Sequence, residues 1–298
     1  MPNVLAHFGV QTVASRGLIR RADFKWIFLG CVIPDVSWIL LRAIATLAPG
    51  VDPYGLRLYG IAQASLIVSL LLCGALALLS ARPRLVFGIL SLNTLLHLLL
   101  DATQTKWGNG VHLLAPFSWQ QWNAGLYWPD SLITYILTAG GLAAWAWAWL
   151  RPESRPVASG RPAARAVPLT SAALLLAAYL TVPLGLGGGP LAADNLSVRT
   201  LVEREARVGR PVQFDRERYE RGSGGDSIFS FAKEGFAVQG ERARRSTRVS
   251  AKGTFVAPDT VRIHALHEHP RGTRDLFSYL GLLLLVMYWI RALWAPTG

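Results

Sequence analysis

His97 and Asp101 stand four residues apart at the end of an apolar run that begins near Val86. On a helix that spacing puts an imidazole and a carboxylate on one face, with Asn93 one turn earlier on the same stripe. Earlier in the chain, His7 and the pair Pro34-Asp35 supply a second imidazole and a second carboxylate in apolar surroundings. Ionisable groups inside membrane-length segments are costly to bury and mark functional sites. Two imidazoles and two carboxylates form a ligand set for a divalent ion, with zinc or manganese favoured by donor type. Such an ion lowers the pKa of bound water and polarises a phosphoryl or carbonyl oxygen. His7, Asp35, His97 and Asp101 are therefore the candidate metal ligands, and Asp35 and Asp101 the candidate catalytic carboxylates. Asn93 and Lys106 are candidate substrate contacts, Lys106 offering a positive charge to a phosphate. The competing reading is structural. In it these groups hydrogen-bond neighbouring helices, Asp35 partners Arg42 or Lys25, and Lys106 reaches for headgroups.

The elements that must position these residues follow from hydropathy. Of 298 residues, 52% are hydrophobic and only 16% charged, and mean hydropathy is +0.32. Apolar residues come in long blocks, which excludes an ordinary soluble domain and indicates a polytopic α-helical membrane protein. Six spans are expected: 24–48, 58–80, 85–102, 131–150, 169–186 and 276–295. The stretch 1–15, carrying His7, is too short to span and reads as a re-entrant or interfacial helix. For His7 to meet His97 it must dip in from the outer face. Arg16, Arg20, Arg21 and Lys25, the Arg82-Pro83-Arg84 loop and the Arg- and Pro-rich linker 151–168 read as cytoplasmic. The His97–Asp101 end then faces outward. So does the loop from Trp107 to Trp128, whose four tryptophans and Tyr127 suit the headgroup zone. Cys31 and Cys73 both lie in apolar segments, so a disulfide framework is not expected.

Between the fifth and sixth spans the pattern changes from blocks to alternation. Residues 211–214, 227–231, 235–239, 248–252 and 260–264 each read as a short strand, with turns at Gly222-Ser-Gly-Gly225, Gly240, Gly253 and Ala257-Pro258-Asp259. Five strands in 188–275 predict a small barrel or sandwich, with an OB-like barrel as the expected topology. His267 and His269 point the same way on a strand, and are read as a solvated strand end rather than a metal site. The net charge of +12 sits largely in loops and in this block. Membrane lipid is the expected partner for it, and nucleic acid is not.

Four motifs carry a resemblance. Ala6-His7-Phe8-Gly9, Ile33-Pro34-Asp35, His97-Leu-Leu-Leu-Asp101 and the following Gly110-Val-His-Leu-Leu-Ala-Pro116-Phe117 resemble, in order and spacing, those of the bacterial inner-membrane metal-dependent hydrolases of the LexA-binding type. The resemblance covers residues 1–150 and implies a membrane-embedded metal-dependent hydrolase domain with His7, Asp35, His97 and Asp101 as metal ligands. It departs from the family where a Thr-His-Ser motif is expected, since the chain reads Ala62-Gln63-Ala64-Ser65 there. The expected architecture is thus a hydrolase-like domain over 1–150, the linker 151–168, a transmembrane helix 169–187, a periplasmic β domain 188–275 and a C-terminal transmembrane helix 276–298, in a bacterial inner membrane. The expected function is hydrolysis of an ester or phosphoester of a lipid or envelope substrate near the outer leaflet. The rival is a non-catalytic scaffold whose β domain binds a partner or envelope polymer. A transporter is disfavoured, because no repeated pair of broken helices is apparent.

Overall fold

A helix too short to cross a membrane forms the centre of the bundle. In the computed structural model, which describes residues 3–19, 22–48, 50–150, 166–269 and 272–294, α1 (Val4–Leu18) is buried over most of its circumference. Its 15 residues reach roughly 22 Å, less than a hydrocarbon core of about 30 Å. Asn3 caps it, its side-chain oxygen accepting from the Ala6 amide at 3.0 Å. The stretch that carries His7 is therefore buried among its neighbouring helices, as a meeting with His97 requires.

Around α1 stand the longer apolar helices. The first is broken into α2 (Phe24–Gly30), a 3₁₀ turn at Ile33–Asp35 and α3 (Val36–Leu47). Pro34 has no N–H to continue the α ladder, so the break falls at the Pro-Asp pair. Next come α4 (Pro53–Gln63) and α5 (Leu66–Leu78), then α6 (Pro83–Ala102), α7 (Leu132–Leu150) and α8 (Ala166–Leu186). The short helices α9 (Gly188–Ala192) and α10 (Val198–Val202) follow, and α11 (Thr273–Trp294) comes last. Among the described residues, five helical stretches are long and apolar enough to cross a membrane, or six if the bent pair of α4 and α5 is one broken span. The expected continuous span over 58–80 is instead two helices, α4 and α5, bent by 70°. The extended backbone of Ser65 starts α5 afresh, and its hydroxyl donates to the Ala62 carbonyl at 2.8 Å. The expected basic clusters at Arg20-Arg21 and in 151–165 lie outside the described residues.

Glycines let α1 sit close to its neighbours. A Cβ on Gly141 of α7 would lie 1.7 Å from the Leu5 carbonyl oxygen, and one on Gly9 would lie 2.8 Å from the Gly141 nitrogen. Small residues at such crossings allow backbones to touch where lipid provides no hydrophobic drive. Gly281 of α11 abuts Val4 in the same way.

The polar block folds as a closed five-stranded barrel in the order β1-β2-β3-β5-β4. The strands are β1 (Pro211–Glu220), β2 (Ser227–Phe229), β3 (Gly235–Gly240), β4 (Thr247–Ala257) and β5 (Thr260–His269). All neighbours are antiparallel except β3 and β5, which run parallel. Alternating residues such as Val212, Phe214, Val249, Ala251, Val261 and Ile263 fill the interior. Residues 188–210, expected to belong to the β domain, are short helices and turns that lead into it.

The barrel is seated on the helical bundle rather than tethered loosely to it. The Gly108 amide donates to the Gln213 side chain at 2.7 Å, and Asn109 donates to Asp215 at 2.8 Å. From α4, the Tyr54 hydroxyl donates to Glu234 at 3.2 Å, and the Arg57 guanidinium lies 4.2 Å from the Phe231 ring centroid. The Trp-rich segment is therefore the seat of the barrel.

Candidate metal centre

Three residues of the Ala6-His7-Phe8-Gly9 motif have separate tasks in the packing. Phe8 stacks on Phe28 of α2 at 4.5 Å, and Gly9 admits α7. His7 faces α6, where its ring stacks on that of His97 with centroids 3.8 Å apart and planes within 5°. The i, i+4 spacing then brings Asp101 beside His97, and the turn at Pro34 delivers Asp35 from the other side. His7 Nε2 lies 3.5 Å from Asp101 Oδ1, while His97 Nε2 lies 3.7 Å from Asp35 Oδ1 and 4.0 Å from Asp101 Oδ2. All four side chains are buried.

These contacts are not hydrogen bonds. His7 Nε2, His97 Nε2, Asp35 Oδ1 and Asp101 Oδ1 are buried with no hydrogen-bond partner, whereas buried polar atoms are otherwise almost always paired. For His97 the proton position follows from its other nitrogen. Nδ1 sits 2.6 Å from the Cys31 carbonyl oxygen, which can only accept. Nδ1 therefore carries the hydrogen, and the Nε2 lone pair points at the carboxylates. Fixing a ligand's tautomer through its far nitrogen is the usual support of a metal-binding histidine. The Gln11 amide reaches His7 Nδ1 at 3.1 Å and can serve either tautomer by turning end for end.

The spacing and charge agree with a cation. Two ligand atoms on one tetrahedral zinc lie about 3.3–3.5 Å apart, given bonds of about 2.0–2.2 Å. One ligand atom each from His7, His97 and Asp101 fall within 4.8 Å of one another. Asp35, although 3.7 Å from His97, stands just outside that trio. Lys106 pairs with Asp101 at 3.1 Å and offsets one of the two carboxylates. A divalent ion would supply positive charge to the other. Two histidines and one carboxylate, with a position left open, suit a catalytic more than a closed structural site.

No family model, curated protein or solved structure matches the chain. The reading therefore rests on geometry.

The remaining candidates fall in different places. Lys106 is at the cluster, and its backbone carbonyl accepts from Asn123, which ties the 103–128 loop to itself beside the site. Asn93 is one turn deeper, where its side chain accepts from Ser15 at 3.0 Å and donates to the Ile89 carbonyl at 2.8 Å. Its amide ties α1 to α6. Gln63 donates to the Tyr59 hydroxyl at 2.9 Å and to the Tyr179 carbonyl at 3.5 Å, so it braces α4 against α8. Gln104 is fully buried at the end of α6, with neither side-chain atom hydrogen-bonded. Sequence reasoning passed over it, because a glutamine just past an apolar run carries no signal of its own. His112 is buried near Trp119, and burial pushes its pKa down to about 4.

The reading of His267 and His269 as a solvated strand end needs correction. His269 is buried, and Asp130 lies against both imidazoles. The barrel sits on the loop here, which strand periodicity alone could not reveal.

Proposed function

We propose that this chain is a membrane-embedded metal-dependent hydrolase that cuts an ester or phosphoester bond in a lipid or envelope substrate at headgroup depth. The observation that carries the reading is the convergence of four orphaned buried atoms, on His7, His97, Asp35 and Asp101. A zinc or manganese ion held by His7, His97 and Asp101 would polarise the scissile carbonyl or phosphoryl group and make water acidic enough to attack at neutral pH. The protein's own contribution is positional. Asp35, beside the trio, is placed to accept the proton of the attacking water. The Lys106 ammonium is placed to meet negative charge on the substrate. The adjoining 103–128 loop limits access of bulk water. Gln63, where the resembling family has a histidine, braces helices instead of adding a ligand, so the site works with the remaining set.

By loop charge the site and the barrel face the outer side of a bacterial inner membrane. We read the strand order, with its parallel β3–β5 pair, as that of an OB-type barrel. The test is metal content per chain and hydrolysis of an ester and phosphoester lipid panel by the full-length protein in detergent. The double variant His97→Ala with Asp101→Ala is expected to lose the metal of this site and all hydrolysis. Unchanged metal content in that variant would overturn the reading.

A further inference from the structure

A second convergence lies where the barrel meets the loop. β5 ends with His267 and His269 on one side of the strand. Asp130 closes the loop just before α7 and comes between them and the helical bundle. His267 Nε2 lies 3.3 and 3.2 Å from the two Asp130 oxygens, and His269 Nδ1 lies 3.6 Å from Oδ2. One ligand atom from each of the three residues falls within 4.8 Å of the others.

The hydrogen bonds around His269 say which lone pair faces Asp130. Arg216 Nη1, which can only donate, approaches His269 Nδ1 at 3.5 Å. That places the ring hydrogen on Nε2, which sits 2.8 Å from Ser250 Oγ. Nδ1 then has no hydrogen to give the carboxylate beside it. Two electron-rich atoms face each other at 3.6 Å, a separation suited to sharing a cation. Ser250 also accepts from the Arg216 amide at 3.2 Å, so the outer nitrogen of His269 is held in place, as a metal ligand requires. The His267 ring is clamped by Trp128, stacked at 3.9 Å with planes 1° apart. The Arg216 guanidinium is the competing positive charge, and its side chain is long enough to swing clear.

We propose that Asp130, His267 and His269 form a second divalent-cation site, of zinc type, that fastens the barrel to the helical bundle. Two imidazoles and a carboxylate select a zinc-class ion over calcium or magnesium. Asp130 leads into α7 and His269 leads toward α11, and both helices pack on α1. A cation here ties together the two helices that hold the His7 helix. It is independent of the hydrolase reading, since it uses none of the same residues.

The test uses the full-length protein in detergent, stripped with chelator and reloaded with zinc or cobalt(II). Wild type is expected to bind one equivalent more than the His267→Ala with His269→Ala variant, and the His97→Ala with Asp101→Ala variant is expected to keep that equivalent. Because Trp128 stacks on His267, cobalt(II) should quench its emission, read as the difference between the chain and its Trp128→Phe form. That second readout needs no histidine variant to fold. Equal metal content in wild type and the His267/His269 variant overturns the proposal, and so does Trp128 emission that cobalt(II) leaves unmoved. Loss of metal confined to the His97/Asp101 variant would sink this site while leaving the hydrolase reading intact.

Discussion

The barrel and the helical bundle each bury a charged cluster, and the two clusters are finished differently. In the barrel domain, Arg207 is almost fully buried, yet its guanidinium is spent. It donates to Glu234 at 3.0 and 2.8 Å, to the Pro258 carbonyl at 3.0 Å, to the Thr200 carbonyl at 3.3 Å and to the Leu201 carbonyl. In the bundle, the histidine and aspartate atoms that face one another have no hydrogen-bond partners. Burial alone therefore says little about function. Between these two clusters, the saturated guanidinium holds a fold together, whereas the unpartnered imidazole and carboxylate atoms keep lone pairs for something else.

The widest separation between the clusters should come from breaking each in turn. Arg207→Ala removes one partner of a mostly buried pair. It should destabilise the barrel toward the low end of roughly 3–5 kcal/mol, because Glu234 keeps some solvent and other partners. Metal content at the bundle site should stay unchanged. Asp101→Asn should instead lose metal and hydrolysis, and it costs stability as well, because it leaves the buried Lys106 ammonium without its carboxylate. Thermal melting and metal analysis of the same detergent preparations check both. If Arg207→Ala sheds metal as readily as Asp101→Asn, the distinction between saturated and unsaturated clusters fails.

A smaller effect should follow from moving a ligand without changing it. A Cβ at Gly141 cannot coexist with the Leu5 carbonyl 1.7 Å away, so α1 must shift and carry His7 with it. Gly141→Ala is expected to cost about 1–3 kcal/mol, as overpacking does. It should weaken metal retention by about tenfold, as loss of ligand orientation does. The neighbouring Gly140 is the control, since its Cβ would meet nothing within 4 Å. Gly140→Ala should leave both quantities alone. Equal behaviour of the two alanines would show that the crossing of α1 and α7 does not set the site.

How far the sequence reveals this molecule depends on the range of the interaction. The i, i+4 pair of His97 and Asp101 and the proline break at Asp35 are local, and both stand where spacing put them. The five strands begin within a residue of where alternation placed them, but β1, β4 and β5 run about twice the expected length and β2 stops early. The bend between α4 and α5 was not legible, because Gln63-Ala64-Ser65 interrupts an apolar run only weakly and the break lies in the extended backbone of Ser65. The charge of the β block is expected to meet membrane lipid, but Arg207 is drawn inside by Glu234, 27 residues away. Asp130 drew no attention at all. Its partners His267 and His269 come from the far end of the barrel, and only the docking of the two regions brings them together.

The seam between the regions offers the finest test. Glu217 of β1 lines a cavity of about 30 Å³ with Arg57, Gly108, Gln213 and Asp215. Burial there pushes its carboxyl up to about 7, and nearby Asp215 adds to the rise, against the opposing pull of Arg57 and Arg248. An unfolded glutamate titrates near 4.5, so between about 4.5 and 7 the folded chain holds this proton more tightly than the unfolded one. Stability from this group is thus fully present at low pH and falls as pH rises through that window. Glu217→Gln removes the titration. The variant should match wild type near pH 5 and exceed it by about 1 kcal/mol near pH 8, after allowance for partial exposure. His269 and Asp130 titrate in both proteins and cancel in the difference. Melting temperatures of the two chains from pH 5 to 8 decide it. A difference that stays flat would mean that the seam admits water freely, and that barrel and bundle respond to pH as separate bodies.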